Sequence, residues 1–156
     1  MVDVVDKPTR SRMMSGIRGK NTRPELLIRQ GLHRLGFRYS LHNKNLPGKP
    51  DLVFAKYHAL IFIHGCFWHA HACHLFKWPR TRPEFWRKKI SENQERDARQ
   101  QQTLQQAGWR SLIIWECALK GKTRLPLPEI LHTAANWLQF DNQNAEISGS
   151  TEGKKF

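Results

Sequence analysis

The sequence predicts an α/β fold, and three observations carry that prediction. ALIFI at 59–63 and WRSLIIW at 109–115 are apolar almost throughout, as strands covered on both faces are. Between them, RPEFWRKKISENQERDARQQQTLQQAG at 82–108 is polar, almost free of breakers and closed by Gly108, as a long helix would be. A helix that carries the chain back to the same sheet is a crossover unit, so the second strand is expected beside the first and parallel to it.

The remaining elements follow from local chemistry. Residues 1–21 are polar and poor in core formers, and are expected to be a flexible arm. Up to Arg23 the chain carries Lys7, Arg10, Arg12, Arg18, Lys20 and Arg23 against only Asp3 and Asp6, a pattern suited to wrapping a duplex. TRPE at 22–25 marks a helix start: Thr22 can cap, Pro24 suits the first turn, and Glu25 stands where a capping box needs it. Leu27, Ile28, Leu32 and Leu35 then form a helical stripe that stops at Gly36. FRYSL at 37–41 and DLVF at 51–54 are strands separated from each other and from ALIFI by the turn formers NKNLPGKP and AKYH, which gives a three-stranded meander. EILHTAANWLQF at 129–140 is a last amphipathic helix, and from Asp141 onward the chain is expected to be a disordered polar tail. The chain therefore divides into an arm (1–21), one folded domain (22–140) and a tail (141–156).

A chain of 156 residues fits one domain and can bury a core without covalent staples. No apolar run has the length of a membrane span, and the N-terminus carries no apolar signal region, so a cytoplasmic protein is expected. Lys and Arg number 26 against 13 for Asp and Glu, a net charge of +13 that favours a polyanionic partner. The three cysteines are an odd number, which argues against a disulfide framework and leaves metal binding, catalysis or burial.

HGCFWHAHACH at 64–74 follows ALIFI directly and packs four histidines, two cysteines and two large aromatics into eleven residues. Cys66, His71 and Cys73 with the distant Cys117 match a closed tetrahedral zinc site of three thiolates and one imidazole. His69 and His74 compete with His71 on spacing alone. Asp51, after Pro50 at a strand start, is a candidate for holding Mg²⁺ against a phosphate, in the company of His64 and His69. Trp86, Lys89, Asn93 and Asp97 recur at spacings of three and four and share a helix face. Asp97 on that face can orient a histidine ring.

PGKPD at 47–51, IFIHGCFWHAHACHLFK at 61–77, TRPEFWRKKI at 81–90 and GWRSLIIWECAL at 108–119 together resemble the very-short-patch DNA mismatch repair endonuclease family. The opening DKPTRSRMMSGIRGKNTRPE is similar to that family as well, so the likeness spans about residues 3–139. The resemblance implies a restriction-endonuclease-like core, with a mixed central sheet flanked by helices. It implies an enzyme that nicks one strand of double-stranded DNA 5′ to the thymine of a T·G mismatch left by deaminated 5-methylcytosine. Carried over by position, Asp51 and the backbone carbonyl of Ile63 would bind Mg²⁺. His69, held by Asp97, would act on the attacking water, with His64 and Glu25 supporting the phosphate and the metal-bound waters. Cys66, His71, Cys73 and Cys117 would be the structural Zn²⁺ ligands. Phe67, Trp68 and Trp86 would wedge into the duplex, Lys89 and Asn93 would contact the mismatch or nearby phosphates, and Met14, beside Met13, would enter from the opposite groove. The acid-x-Lys pattern usual in the wider nuclease superfamily is replaced here by Phe62-Ile63-His64. A monomer near the bacterial nucleoid, with other mismatch-repair proteins as possible partners, is the matching expectation. The rivals are a zinc-braced DNA-binding module without catalysis, and a nuclease of the same fold acting on other DNA structures.

Overall fold

The computed structural model describes residues 22–150. The expected basic arm, with Met13 and Met14, lies outside the described residues, as does 151–156. The first helix, α1, spans Arg23–Arg34. Thr22 caps it by accepting the Glu25 amide on Oγ1 at 3.4 Å, and the expected apolar stripe delivers Ile28 and Leu32 fully into the core.

Strand β1 is only Ser40–Leu41, shorter than the FRYSL expected. The physical reason lies in residues 37–39, which wrap the end of α1 instead of pairing. The Phe37 amide donates to the Leu32 carbonyl and the Arg38 guanidinium to the His33 carbonyl. β1 pairs antiparallel with β2 (Leu52–Phe54), and β2 antiparallel with β3 (Ala59–His64), so the meander is present. Helix α2 (Pro83–Gln106) carries the chain across to β4 (Arg110–Trp115), which lies parallel to β3 in a register running from Ala59 opposite Arg110 to His64 opposite Trp115. Helix α3 (Leu127–Phe140) follows.

The stretch from Asp141 departs from the disordered tail expected. Residues Ala145–Ile147 form β5, which pairs parallel with β4 and completes a mixed sheet ordered β1-β2-β3-β4-β5. Side chains staple this segment to the domain. Asn144 Oδ1 accepts the Ser111 amide at 2.8 Å, the Gln143 carbonyl accepts Trp137 Nε1 at 2.7 Å, and Glu146 Oε1 accepts Trp115 Nε1 at 2.6 Å. Ile147 is buried against the core. The stretch is too short and polar to show periodicity, and its strand partner β4 lies more than thirty residues away in the chain.

The helices form layers on the two faces of the sheet. α1 and α3 share one face, where Ile28, Leu32, Ile130, Ala134 and Leu138 meet Leu52, Phe54, Ile61, Leu112 and Ile114. Gly31 permits the two helices to approach, since a Cβ there would stand 2.4 Å from Cδ1 of Leu131. On the other face Leu104 of α2 covers Val53, Leu60 and Phe62. At 24 residues α2 is about 36 Å long, far longer than the strands it crosses. It enters β4 from its C-terminal end, so its N-terminal half projects past the carboxyl ends of β3 and β4, where the HGCFWHAHACH segment begins.

If β5 is a structural strand, Ile147→Ala should destabilise the protein by roughly 2 kcal/mol or more. Glu146→Ala, which removes only one exposed acceptor, should cost about 1 kcal/mol. Urea unfolding monitored by tryptophan fluorescence measures both. Unchanged stability for Ile147→Ala would show that the segment is not packed.

Candidate active site

Asp51, His64, His69 and Asp97 come together at the carboxyl end of β3. Asp51 ends the β2 pairing: its amide still donates to the Ile61 carbonyl at 3.1 Å, while its Oδ2 accepts the Ile63 amide at 2.7 Å. Ile61 and Ile63 present their polar groups to the same edge of β3. The Ile63 carbonyl therefore faces the side where β2 has run out, next to the Asp51 carboxylate. Burial and the nearby Glu25 carboxylate push Asp51 from an ordinary 3.8 up to about 6, against the opposing effect of the Ile63 amide. The nearby His42 offsets only part of this, and a bound cation would favour the ionised carboxylate further.

Glu25, Asp51 and a residue the sequence did not single out, His42, form a cluster whose possible ligand atoms lie within 4.8 Å of one another. Glu25 is buried, and its Oε2 meets Arg29 Nη1 at 2.9 Å and His42 Nε2 at 2.8 Å. Its amide receives the helix cap, as the sequence indicated, but its carboxylate turns toward the site. His42 lies in the turn after β1 at φ +49°, a strained backbone state that no sequence pattern announces.

His69 Nδ1 is hydrogen-bonded to Asp97 Oδ2, which joins the loop after β3 to α2. With Nδ1–H donated to the carboxylate, Nε2 is left as the basic nitrogen. The His64 ring stacks on His69, with centroids 3.9 Å apart and planes 4° from parallel. Burial first, and then His69, hold His64 down to about 3, so it stands neutral at physiological pH.

The next residues of the loop build a second cluster. Ala70 sits at φ +50°, and this turn lets His69 and His71 reach different places. His71 Nδ1 stands 3.5 Å from the sulfurs of both Cys66 and Cys117, and with Cys73 all four possible ligand atoms lie within 4.8 Å of one another. A tetrahedral zinc with ordinary Zn–S and Zn–N bonds requires S···N edges of about 3.5 Å, so the donor set fits that ion. His71 is thereby singled out from its neighbours, because His69 is held by Asp97 and His74 contacts Thr123. Burial drives the Cys66 and Cys117 thiols toward the protonated form, a bias that a bound cation would reverse. The Gly149 amide donates to Cys117 Sγ at 3.3 Å, so the C-terminal segment also reaches this cluster.

Phe67, Trp68 and Trp86 pack on one another at centroid distances of 5.2–6.0 Å, half-buried in their own cluster. Asn93 is buried and holds this loop: its Nδ2 donates to the Trp68 carbonyl at 3.0 Å and its Oδ1 accepts Arg96 at 3.1 Å. Beside the rings opens a cleft of about 700 Å³, lined by Asp51, His64 and His69 together with Trp68, Trp86, Lys89 and Asn93. Phe85, Glu116 and Arg96 line it as well and were not legible beforehand. Phe85 and Arg96 lie on a polar helix whose default reading is a solvated face, and Glu116 is a lone acid in an apolar run.

Comparison with known proteins follows from this geometry. Residues 2–75 match the family model described as DNA mismatch endonuclease Vsr. The chain is 44% identical over 147 residues to the DNA mismatch endonuclease Vsr of Escherichia coli (strain K12), covering 94% of each chain. It is 43% identical to the type II nicking enzyme V.XorIIP of Xanthomonas oryzae pv. oryzae, over 76% of this chain and 88% of the relative. It is also 42% identical to the type II nicking enzyme V.NmeAIP of Neisseria meningitidis serogroup A, over 78% and 87%.

Asp51 supplies a pH test of its surroundings. Its folded value of about 6 lies above its ordinary 3.8, so the ionised form opposes folding. That penalty is fully present above pH 6 and fades as the pH falls through 6 toward 4. The difference corresponds to roughly 3 kcal/mol. Metal-free Asp51→Asn should therefore be more stable than the wild type at pH 7.5 and lose that advantage near pH 4, measured by urea denaturation in EDTA. An equal stability gap at both pH values would contradict the assignment.

Proposed function

Because the chain belongs to the DNA mismatch endonuclease Vsr family and is a DNA endonuclease, we propose that it nicks one strand 5′ to the thymine of a T·G mismatch in a Mg²⁺-dependent reaction. The observation that carries this is the convergence of Asp51, His64 and the His69–Asp97 pair on one cleft, with the Phe67–Trp68–Trp86 cluster forming its neighbouring wall.

Nε2 of His69 takes the proton of the attacking water, and the Asp97 carboxylate fixes the tautomer and stabilises the imidazolium that results. The water oxygen bonds to phosphorus, the bond to the leaving deoxyribose oxygen breaks, and that oxygen is protonated from solvent. Asp51 and the Ile63 carbonyl hold the Mg²⁺, with Glu25 and His42 beside them. The chemistry a bound Mg²⁺ supplies is Lewis-acid stabilisation of the phosphate and the leaving oxygen. His64, neutral and stacked on His69, keeps that ring in plane and excludes water from its face.

Cys66, His71, Cys73 and Cys117 hold a structural Zn²⁺ with no open position, which braces the loop that carries both His69 and the rings. The rings enter the duplex at the mismatch. Separating bases there costs a few kcal/mol per step and least where pairing is already poor, so a wobble pair is favoured over a Watson–Crick pair. Lys89 and Asn93 share the helix face of Trp86 and belong to the proposed DNA contacts, as does Met14, which lies outside the described residues. The net charge of +13 supplies the affinity for phosphate. No helix among the described residues is long and apolar enough to cross a membrane. A monomer in the cytoplasm, recruited by other repair proteins, completes the proposal.

Otherwise identical T·G, G·C and A·T duplexes, incubated with the protein and Mg²⁺, should be separated by the assay: the T·G duplex alone is nicked, in the T strand. Asp51→Ala should abolish nicking and His69→Ala should slow it by at least about 100-fold. Equal cleavage of all three duplexes would remove the mismatch specificity, and full activity in Asp51→Ala would remove the mechanism.

Metal analysis of the purified protein should give one zinc per chain. Cys73→Ser should reduce that content and lower the unfolding temperature, because binding energy at such a site is folding energy. A zinc-free protein of full thermal stability would refute the brace.

A further inference from the structure

A second cleft, of about 390 Å³, opens on the far side of β3 toward Gly48, Lys49, Asp97 and Gln100. The two clefts meet, and the residues lining both are Asp51, Ile63, His64, His69 and Arg96. Four of these already have roles in the mechanism above. Arg96, which follows Asn93 by three residues on α2 and directly precedes Asp97, has none.

Charge at this junction makes Arg96 conspicuous. Asp51, Glu25, Asp97 and Glu116 bring four carboxylates to the site, and a phosphodiester would bring another negative charge that grows as water adds to phosphorus. Arg29 is engaged with Glu25. The stretch Phe62-Ile63-His64 contains no lysine, and the charge of the histidines depends on pH. Among the described residues Arg96 is the one permanently charged cation lining both clefts; Arg23, Lys89 and Lys120 line the first alone and Lys49 the second alone. Its side chain is exposed, and its Nη2 donates to Asn93 Oδ1 at 3.1 Å. The planar fork of donors matches two phosphate oxygens.

We propose that Arg96 is a further catalytic residue, whose guanidinium binds the non-bridging oxygens of the phosphodiester being cut, where the two clefts meet. The proposal rests on the endonuclease reading above and adds to it the group that neutralises the reacting phosphate independently of metal. Preorganised donors of this kind act where charge develops and need no rearrangement during reaction.

Two substitutions separate this role from a structural one through Asn93. Arg96→Gln keeps a donor for Asn93 and loses the charge, whereas Arg96→Lys keeps the charge. Single-turnover nicking of the T·G duplex with Mg²⁺ should fall about 100-fold in Arg96→Gln, the scale of one lost transition-state donor. It should stay within about tenfold of wild type in Arg96→Lys, a point charge without the fork. Thermal stability and zinc content should not move in either. Binding in EDTA gives a readout independent of turnover: replacing the phosphate at the nick by a neutral methylphosphonate should weaken wild type at least about threefold more than it weakens Arg96→Gln. Equal effects of the methylphosphonate in both proteins, or rescue by Gln and not by Lys, overturns the proposal. Wild-type protein that nicks a different duplex overturns the T·G specificity alone, and the same comparison on that duplex still decides Arg96. Wild-type protein that nicks no duplex overturns both.

Discussion

The last rung of the parallel β3–β4 ladder, His64 opposite Trp115, is the constraint on which the site depends. Parallel strands in register end together, and each continues into a cysteine two residues later, Cys66 and Cys117. The ladder thus delivers two thiols to one place before any metal is considered. Trp115 occupies the centre of the arrangement: His71 stacks on its indole with centroids 4.1 Å apart, and His64 and His69 meet it edge-on. Its own orientation is fixed from β5 through Glu146. A one-residue slip of β4 against β3 would separate the sulfurs and turn the indole to the other face of the sheet.

Electrostatics divides the site into two halves of opposite character. Asp51 is raised by burial first and also by Glu25, whose own carboxylate is already engaged by Arg29 and His42. His69 with Asp97 is the other half, an imidazole bonded through Nδ1 to a carboxylate of α2. In the proposed mechanism the first half waits for charge from outside the chain, and the second can gain charge during the reaction. His64 stacks on His69 and is held neutral by burial and by that neighbour.

The parts of this fold that were legible in the sequence are those with local causes. ALIFI and WRSLIIW carry enough apolar side chains to declare two buried strands, and the polar run between them declares the crossover. The cysteines and histidines of 64–74 pointed to a cluster with Cys117, and the structure brings Cys66, His71, Cys73 and Cys117 together, although spacing alone left His69 and His74 open. What escaped depended on distant partners. β5 consists of three residues that pair with β4 and reach Trp115 through Glu146, next to Asn144, which holds Ser111. His42 reaches Glu25 only because the backbone adopts positive φ. Arg96 gains its place from the meeting of two clefts, which is a property of surfaces rather than of sequence neighbours.

Helix α2 explains how recognition and chemistry would be coupled in the proposed function. Trp86 and Asp97 are eleven residues apart, about 16 Å along one rigid axis. The loop that faces them carries Trp68 and His69 as adjacent residues. Asn93 fixes the Trp68 backbone and Asp97 fixes the His69 ring, so one helix holds both. The rings cannot move into a duplex as a body without straining the bond that orients the base. A duplex that yields easily allows the rings in while His69 keeps its tautomer. One that resists pushes the loop back against α2 and disturbs the histidine. Discrimination of this kind needs no hydrogen bond to a base edge. It needs a stiff loop, and the Cys/His cluster directly after the rings is where the fold can provide that stiffness.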